Sequence, residues 1–430
     1  MKSSIIDVIT KYFIIVGCEI MNFNKNLRKY ATLAVRTGIN IQPGQTLVIN
    51  SPVECLDFTR LAVEEAYKAG AKEVVVHWND EITTKYKYLY SPLEIFETLP
   101  DWSRDSLIYY ARLGAAFLSI SASDPELLKG IDTKKIKANQ KSRSIALSEF
   151  QTRLMSNKNV WSVVSIPTKA WSKKIFSELN DEDAVNRLWN EIFKIVRIDK
   201  EDPVAAWNEH KKNLKEKMNY LNNKNLKELH FKNSLGTDFH LELATDAIWV
   251  GGADYSEEGI EFIANMPTEE VFSMPKKTGV NGIVHSSKPL NYAGNIIDNF
   301  SITFKDGKVV DFTAENGYES LKSLIETDEG SHYLGEVALV PFDSPISNSN
   351  IIFFNTLYDE NASCHLALGK AYSGCVKNGD NLSEEELANK GANDSLTHVD
   401  FMIGTSDLSI TAIDFDGNNH HIFRDGNWAF

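Results

Sequence analysis

The chain has 430 residues, and its 45 Lys and Arg stand against 59 Asp and Glu, for a formal net charge of −14. Nucleic-acid binding rests on clustered Lys and Arg, so this excess of acid argues against a nucleic-acid-binding protein. The excess is unevenly placed: residues 1–225 carry 33 basic and 27 acidic side chains, whereas residues 226–430 carry 12 and 32. The second half, with a net charge of −20, therefore has either a solvated acidic surface or a cluster that holds cations.

Hydrophobic residues make up 43% of the chain, which is typical of ordered globular proteins, and the length indicates two or three domains. Four cysteines without a CxxC pair are too few for a disulfide scaffold. We therefore expect a reducing, cytoplasmic setting.

The first twenty residues resemble a signal peptide only superficially. Asp7 and Lys11 interrupt the apolar run, and no small-residue cleavage site follows Cys18. The uncharged stretch is also much shorter than the roughly 20 residues that span a bilayer. We expect no export signal and no membrane association, and we interpret residues 1–20 as an extension that precedes a working chain beginning at Met21.

From Met21 to about residue 200, helical patterns alternate with short apolar runs, which is typical of a parallel sheet covered by helices. An amphipathic helix is predicted from Met21, and further helices at Cys55–Ala69 and Asp183–Ile198. The predicted strands are Thr46–Asn50, Glu73–His77, Ala115–Ser119 and Trp161–Ile166. Neither a GxGxxG nor a P-loop motif occurs, so this half is predicted to be a doubly wound α/β scaffold without a nucleotide site.

A polar helix over Val204–Leu221 precedes a change of pattern, and the remainder is mostly β with some helix, an α+β region. The strands predicted there are Glu228–Lys232, Asp238–Leu243, Ser301–Phe304, Lys308–Phe312, Glu336–Val340 and Ile351–Phe354, with turns at Leu235–Gly236 and Asp306–Gly307 and a capped surface helix at Glu384–Glu386. The boundary coincides with the change in charge. We therefore predict a scaffold domain over 21–224 and a catalytic, metal-binding domain over 225–430.

Ligand-type side chains in the acidic half occur in compact groups. His398 and Asp400 lie two apart in a run with strand character, so both project from one face, as a divalent cation requires. A His and an Asp that only hydrogen-bond on a sheet fit this pattern equally well. His365 and Tyr372 are seven apart in a helical pattern, which predicts that they share one face of a helix preceded by Glu360.

Other catalytic arrangements fit less well. Neither HExxH nor GxSxG is present. Cys364 and His365 are adjacent, and adjacent residues on a helix point about 100° apart, so a thiol–imidazole pair is not favoured.

Several long motifs occur in order: NMPTEEVF, TGVNGIV with SSKPLNYAG, YLGEVALVPFDSPIS, FFNTLYDENASCHLALGKAY and THVDFMIG. Together with IQPGQTLVINSPVE nearer the N-terminus, they resemble the aminopeptidase T family of metallopeptidases, also called thermophilic aminopeptidases. The resemblance extends from Met21 to the C-terminus.

The resemblance implies two divalent metal ions per subunit, which zinc, cobalt, manganese or magnesium would satisfy. The motif positions that match the family's ligands are Glu270, Glu336, His365, His398 and Asp400. Glu336 would be shared between the metals, Tyr372 would lie at the site and Glu360 would ligate or orient a ligand. Glu269, a non-ligating carboxylate beside Glu270, is the candidate general base, although a surface or supporting acid fits its position as well.

The function predicted from the sequence is a cytoplasmic metal-dependent aminopeptidase. The resemblance further implies a homodimer that encloses the active sites and admits only short peptides. The alternatives are another dinuclear metallohydrolase, such as an amidase or a carboxypeptidase, and a metal-binding protein without catalysis.

Overall fold

The structure is a computed structural model that describes residues 21–430, so the predicted extension lies outside the described residues. The chain is helical over 21–33 (α1) and continues as a π-helical turn at Ala34–Gly38. The first half then has four strands, Thr46–Pro52 (β1), Glu73–Asn79 (β2), Ala116–Ser121 (β3) and Trp161–Ser165 (β4). Its helices are Leu56–Lys68 (α2), Glu81–Tyr90 (α3), Asp101–Arg112 (α4), Thr133–Ala146 (α5), Ser148–Met155 (α6), Lys169–Ile175 (α7), Asp181–Ile195 (α8) and Pro203–Asn223 (α9).

The four strands form a parallel sheet in the order β2-β1-β3-β4. Its central strands are covered on both faces, because successive side chains of a strand point in opposite directions. Leu47 and Ile49 belong to one hydrophobic core with residues of α1 and α2, whereas Val48 belongs to another with residues of α4 and α6. The predicted doubly wound α/β scaffold is therefore confirmed.

The second half consists of strands with three short helices, and the predicted α+β class is confirmed here too. Its strands are Leu226–Lys232 (β5), Asp238–Leu243 (β6), Asp254–Tyr255 (β7), Glu261–Phe262 (β8), Val271–Ser273 (β9), Pro275–His285 (β10), Leu290–Tyr292 (β11), Asn295–Lys305 (β12), Lys308–Asn316 (β13), Leu334–Leu339 (β14), His365–Gly369 (β15), His398–Met402 (β16), Ser409–Asp414 (β17), Asn419–Arg424 (β18) and Asn427–Trp428 (β19). The helices are Tyr318–Ile325 (α10), Thr356–Asp359 (α11) and Glu384–Lys390 (α12).

Most of these strands belong to two antiparallel sheets, and β7 and β8 pair with each other in a small sheet of their own. The larger has the order β11-β12-β10-β6-β5-β17-β18-β19, with β13 paired to β12, and the smaller has the order β16-β15-β14-β9. The predicted Asp306–Gly307 turn joins β12 to β13, with both residues at positive φ. None of the described helices is long and apolar enough to cross a bilayer.

Two sequence predictions of local structure are wrong. The segment around His365, predicted to be helical, is strand β15, and its five residues are all buried. A strand that is buried on both faces lacks the alternation of apolar and polar residues, so its sequence does not distinguish it from a helix. The strand predicted at Ile351–Phe354 is irregular. There, side chains replace the ladder hydrogen bonds: Asp359 accepts from the Phe353 N–H at 2.8 Å and Trp171 Nε1 donates to the Phe353 carbonyl at 2.6 Å.

A hydrophobic core that includes Phe353 joins the two halves of the chain. Phe262, Met266, Phe353 and Tyr358 of the second half belong to the hydrophobic core of the parallel sheet, and Trp171 of the first half is completely buried against them. The scaffold and the acidic half therefore share a core.

We predict that Trp171→Phe lowers the free energy of unfolding by about 1–3 kcal/mol, because the buried Phe353 carbonyl loses its donor. Urea unfolding of this variant is to be compared with that of Trp102→Phe, which alters a side chain that is 77% exposed and is expected to be neutral. Equal midpoints for the two variants would contradict the role of the Trp171 hydrogen bond.

Candidate metal centre

The smaller antiparallel sheet brings together ligand-type side chains from three of its strands and from the residue that precedes the fourth. Glu270 precedes β9, Glu336 lies on β14, His365 on β15, and His398 and Asp400 on β16. His398 and Asp400 share a face of their strand, as their spacing predicted, and all five residues line one cavity. The opposite face of the sheet is held in the core by Val337, Leu339, Leu366, Leu368 and Phe401.

Glu336 occupies the centre of this cluster. One of its carboxylate oxygens lies 3.8 Å from His365 Nε2 and the other 3.4 Å from His398 Nε2. Glu270 approaches His365 Nε2 at 3.0 Å, and Asp400 Oδ1 lies 3.6 Å from His398 Nε2. Ligand atoms of Glu270, Glu336 and His365 thus form one group within 4.8 Å, and those of Glu336, His398 and Asp400 form a second.

Both imidazoles are oriented by backbone carbonyls. His365 Nδ1 lies 3.1 Å from the Ser363 carbonyl and His398 Nδ1 lies 2.7 Å from the Lys370 carbonyl. A carbonyl can only accept, so Nδ1 carries the hydrogen and Nε2 faces the carboxylates. This is the usual arrangement of a histidine that ligates a metal through Nε2.

The electrostatics of the cluster fit cations. Glu270, Glu336 and His365 are buried, and burial raises the pKa of the Glu336 carboxyl to about 7. Burial lowers the pKa of His365, but the hydrogen bond and the charge of Glu270 outweigh it and raise that pKa to about 10. Asp400 Oδ1 is buried and finds no hydrogen-bond partner in the described part of the chain. The cluster thus has more carboxylates than imidazoles, and the buried Asp400 Oδ1 has no hydrogen-bond donor among residues 21–430. Divalent metal ions bind to such a set of donor atoms.

Glu360 and Tyr372 border the same cavity without belonging to either ligand group. Glu360 is buried, and the neighbouring Asn361 Nδ2 donates to it at 3.3 Å. Tyr372 follows β15, and its ring packs edge-on against His398 with centroids 4.8 Å apart. Both predicted positions are therefore at the cluster, although His365 and Tyr372 reach it from a strand and a loop instead of two turns of one helix.

Thr268 and Glu270 line this cavity, whereas Glu269 between them does not, so its role as the general base stays a prediction. Arg197 donates to the Glu269 carboxylate at 2.8 Å and His210 Nε2 lies 3.5 Å away. These contacts connect the segment that carries Glu269 and Glu270 to the first half of the chain.

The cavity has a volume of about 620 Å³, within the range of small-ligand sites. The cluster forms one side. Residues of α9, which the sequence indicated only as a polar helix, form another, and they are Asn208, Lys211, Lys212, Lys215 and Met218. Their spacing of three or four residues is the only sequence signal for this wall, and it is equally typical of a solvated helix.

The chain is similar to known metalloproteases and aminopeptidases along almost its whole length. Residues 23–428 match the family model described as thermophilic metalloprotease (M29). The chain is 52% identical to "Aminopeptidase 2" of Geobacillus stearothermophilus, over 95% of this chain and 98% of that protein, and 39% identical to "Aminopeptidase T" of Thermus thermophilus, over 95% and 99%. A solved structure, "Wild-type AmpT from Thermus thermophilus", superposes with a TM-score of 0.87 at 37% identity and covers 95% of this chain and 100% of its own.

The Glu269–Arg197 pair generates a stability prediction. We expect Arg197→Met to lower the free energy of unfolding by about 3–5 kcal/mol, because it leaves a buried carboxylate without its cation. The double variant Arg197→Met with Glu269→Met is expected to regain much of that loss, since no charge is then left unpaired. A double variant that is less stable than Arg197→Met by denaturant unfolding would contradict this account of the pair.

Proposed function

The chain belongs to the M29 family of thermophilic metalloproteases and is a metal-dependent aminopeptidase, and from this premise we propose that two divalent metal ions act together in its cavity. One observation carries the proposal. Glu336 presents one carboxylate oxygen to the His365 group and the other to the His398 group, which is the placement of a carboxylate that two metals share.

The proposed ligands divide into two sets around Glu336. Glu270 and His365 complete one set, and His398 and Asp400 complete the other. Mixed carboxylate and imidazole shells suit zinc, cobalt, manganese or magnesium. When bound, such ions polarise the scissile carbonyl and make a water acidic enough to attack it near neutral pH.

The other cavity residues supply proton transfer and orientation. We assign Glu360 as the group that takes the proton from the attacking water, because it faces the cavity from outside both ligand groups, whereas Glu269 is bound by Arg197. Tyr372 has a hydroxyl without a partner among the described residues, and burial keeps its pKa well above the ordinary value. It is therefore a donor for the oxygen of the carbonyl under attack.

Metal removal tests the two-ion proposal. Protein treated with a chelator is expected to lose activity on an aminoacyl-p-nitroanilide and to regain it only as the second equivalent of metal is added. Glu336→Gln is expected to reduce bound metal and abolish activity while the far-ultraviolet circular dichroism stays unchanged. Full activity with one equivalent of metal would refute the shared role of Glu336.

Glu360 and Glu269 are separated by a matched pair of substitutions. Glu360→Gln is expected to retain two metal ions and to lose turnover by about 10²–10⁴-fold, the usual contribution of a general base. Glu269→Gln is expected to keep turnover within a few-fold. Loss of a metal ion from Glu360→Gln would instead make Glu360 a ligand, and an inactive, metal-loaded Glu269→Gln would restore the role that the sequence suggested for Glu269.

Short peptides are the proposed substrates, and a homodimer in the cytoplasm is the proposed form of the protein. The dimer rests on the family resemblance, and the three buried free cysteines Cys55, Cys364 and Cys375 are in keeping with a reducing compartment. Light scattering in solution measures the assembly.

Comparable rates on a tripeptide and on a long unfolded chain would refute the restriction to short peptides.

A further inference from the structure

The cavity has walls of opposite charge. We propose that Lys212 and Lys215 bind the C-terminal carboxylate of a short peptide whose N-terminal residue lies at the Glu336 cluster, so that the cavity recognises both ends of its substrate. This proposal rests on the proposed aminopeptidase function and adds to it a carboxylate subsite and a substrate class, free peptides of about two to four residues.

The lysines project from one face of α9. Lys211, Lys215 and Met218 recur at intervals of three or four residues, so they follow one side of the helix with Lys212 beside them, and all four line the cavity. A helix rises about 1.5 Å per residue, so this basic wall extends over about two turns. The apolar side chains of Trp161 and Met155 line the same cavity.

Two of these ammonium groups remain available to a ligand. Lys211 forms an ion pair with Glu261, which also accepts a hydrogen bond from the Tyr255 hydroxyl at 2.8 Å. Lys212 and Lys215 have no carboxylate within 4.0 Å among the described residues. Because the Glu261 carboxylate pairs with only one of these three lysines, the α9 wall keeps a positive charge.

Most acidic groups of the cavity belong to the Glu336 cluster, whereas Glu261 pairs with Lys211 on the α9 side. Asp254 also lines the cavity, but the carboxylates that it senses are Glu270 and Asp380, and burial raises its pKa to about 6. A zwitterionic peptide has an amine at one end and a carboxylate at the other. The basic α9 wall would attract the carboxylate and not the amine, which favours one orientation of the peptide in the cavity.

The separation of the walls suits a short peptide. Gly251 and Gly252 lie between the two walls. A methyl group added to Gly251 would lie 2.6 Å from the Glu270 carbonyl oxygen, and one added to Gly252 would lie 3.2 Å from Leu214 Cβ of α9. Consecutive Cα atoms are about 3.8 Å apart, and an extended peptide advances by roughly 3.3–3.6 Å per residue. Glu270 and α9 are thus within the span of a few residues.

The test compares Leu-Gly-Gly with Leu-Gly-Gly-amide, which differ only in the carboxylate. We expect the wild type to favour the free acid in kcat/KM by about tenfold, and the double variant Lys212→Gln with Lys215→Gln to lose this preference through a higher KM for the free acid, with kcat nearly unchanged. The preference is also expected to weaken in about 1 M salt, where the Debye length falls to about 3 Å.

Two control variants isolate the charge at the subsite. Lys212→Arg with Lys215→Arg keeps both charges and should keep the preference. Lys227→Gln removes an exposed lysine of β5 outside the cavity and should change nothing. The proposal is overturned if the double glutamine variant retains the preference, or if it loses activity equally on both peptides. A wild type that cleaves neither peptide nor an aminoacyl-p-nitroanilide would instead overturn the proposed function.

Discussion

The structure depends on the concentration of negative charge around Glu336. Glu270, Glu336, Glu360 and Asp400 converge in a cavity largely shielded from water, where like charges repel strongly and carboxylates lose their hydration. Two imidazoles offset only part of this charge, so the arrangement favours the binding of cations. Three features hold these donor atoms in position before a cation binds. They are the smaller antiparallel sheet, the backbone carbonyls that orient the histidines and the hydrophobic core on the opposite face of that sheet.

Much of this architecture follows from local patterns in the chain. The strand–helix alternation predicted the parallel sheet, and the two-residue spacing of His398 and Asp400 predicted their common face, because a strand repeats every two residues. His365 shows the limit of such patterns: strand β15 is enclosed on both sides, so its apolar run lacks the alternation that distinguishes a strand from a helix. The residues of the Glu336 cluster could be selected from the sequence, but not the strand geometry that brings them together.

Contacts between distant segments could not be predicted. Nothing in the consecutive acids Glu269 and Glu270 indicates which one faces the cavity; Arg197, 72 residues earlier, decides it by binding Glu269. The lysines of α9 look like a solvated helix face, and only the fold shows that they line the cavity beside the acidic half. The division of charge along the chain thus has a spatial meaning, because α9 ends the basic half and faces the acidic cluster across the cavity.

The pair Gly251–Gly252 has a consequence for how such a cavity can change. Both residues have positive φ, and a side chain on Gly251 would meet the backbone of Glu270, whereas one on Gly252 would meet α9. The absence of a side chain at both positions therefore lets the chain pass closely between the Glu270 segment and α9. Evolution or engineering can retune what the cavity accepts by changing the side chains on α9, whereas a larger residue at Gly251 would displace the Glu270 backbone and one at Gly252 would displace α9.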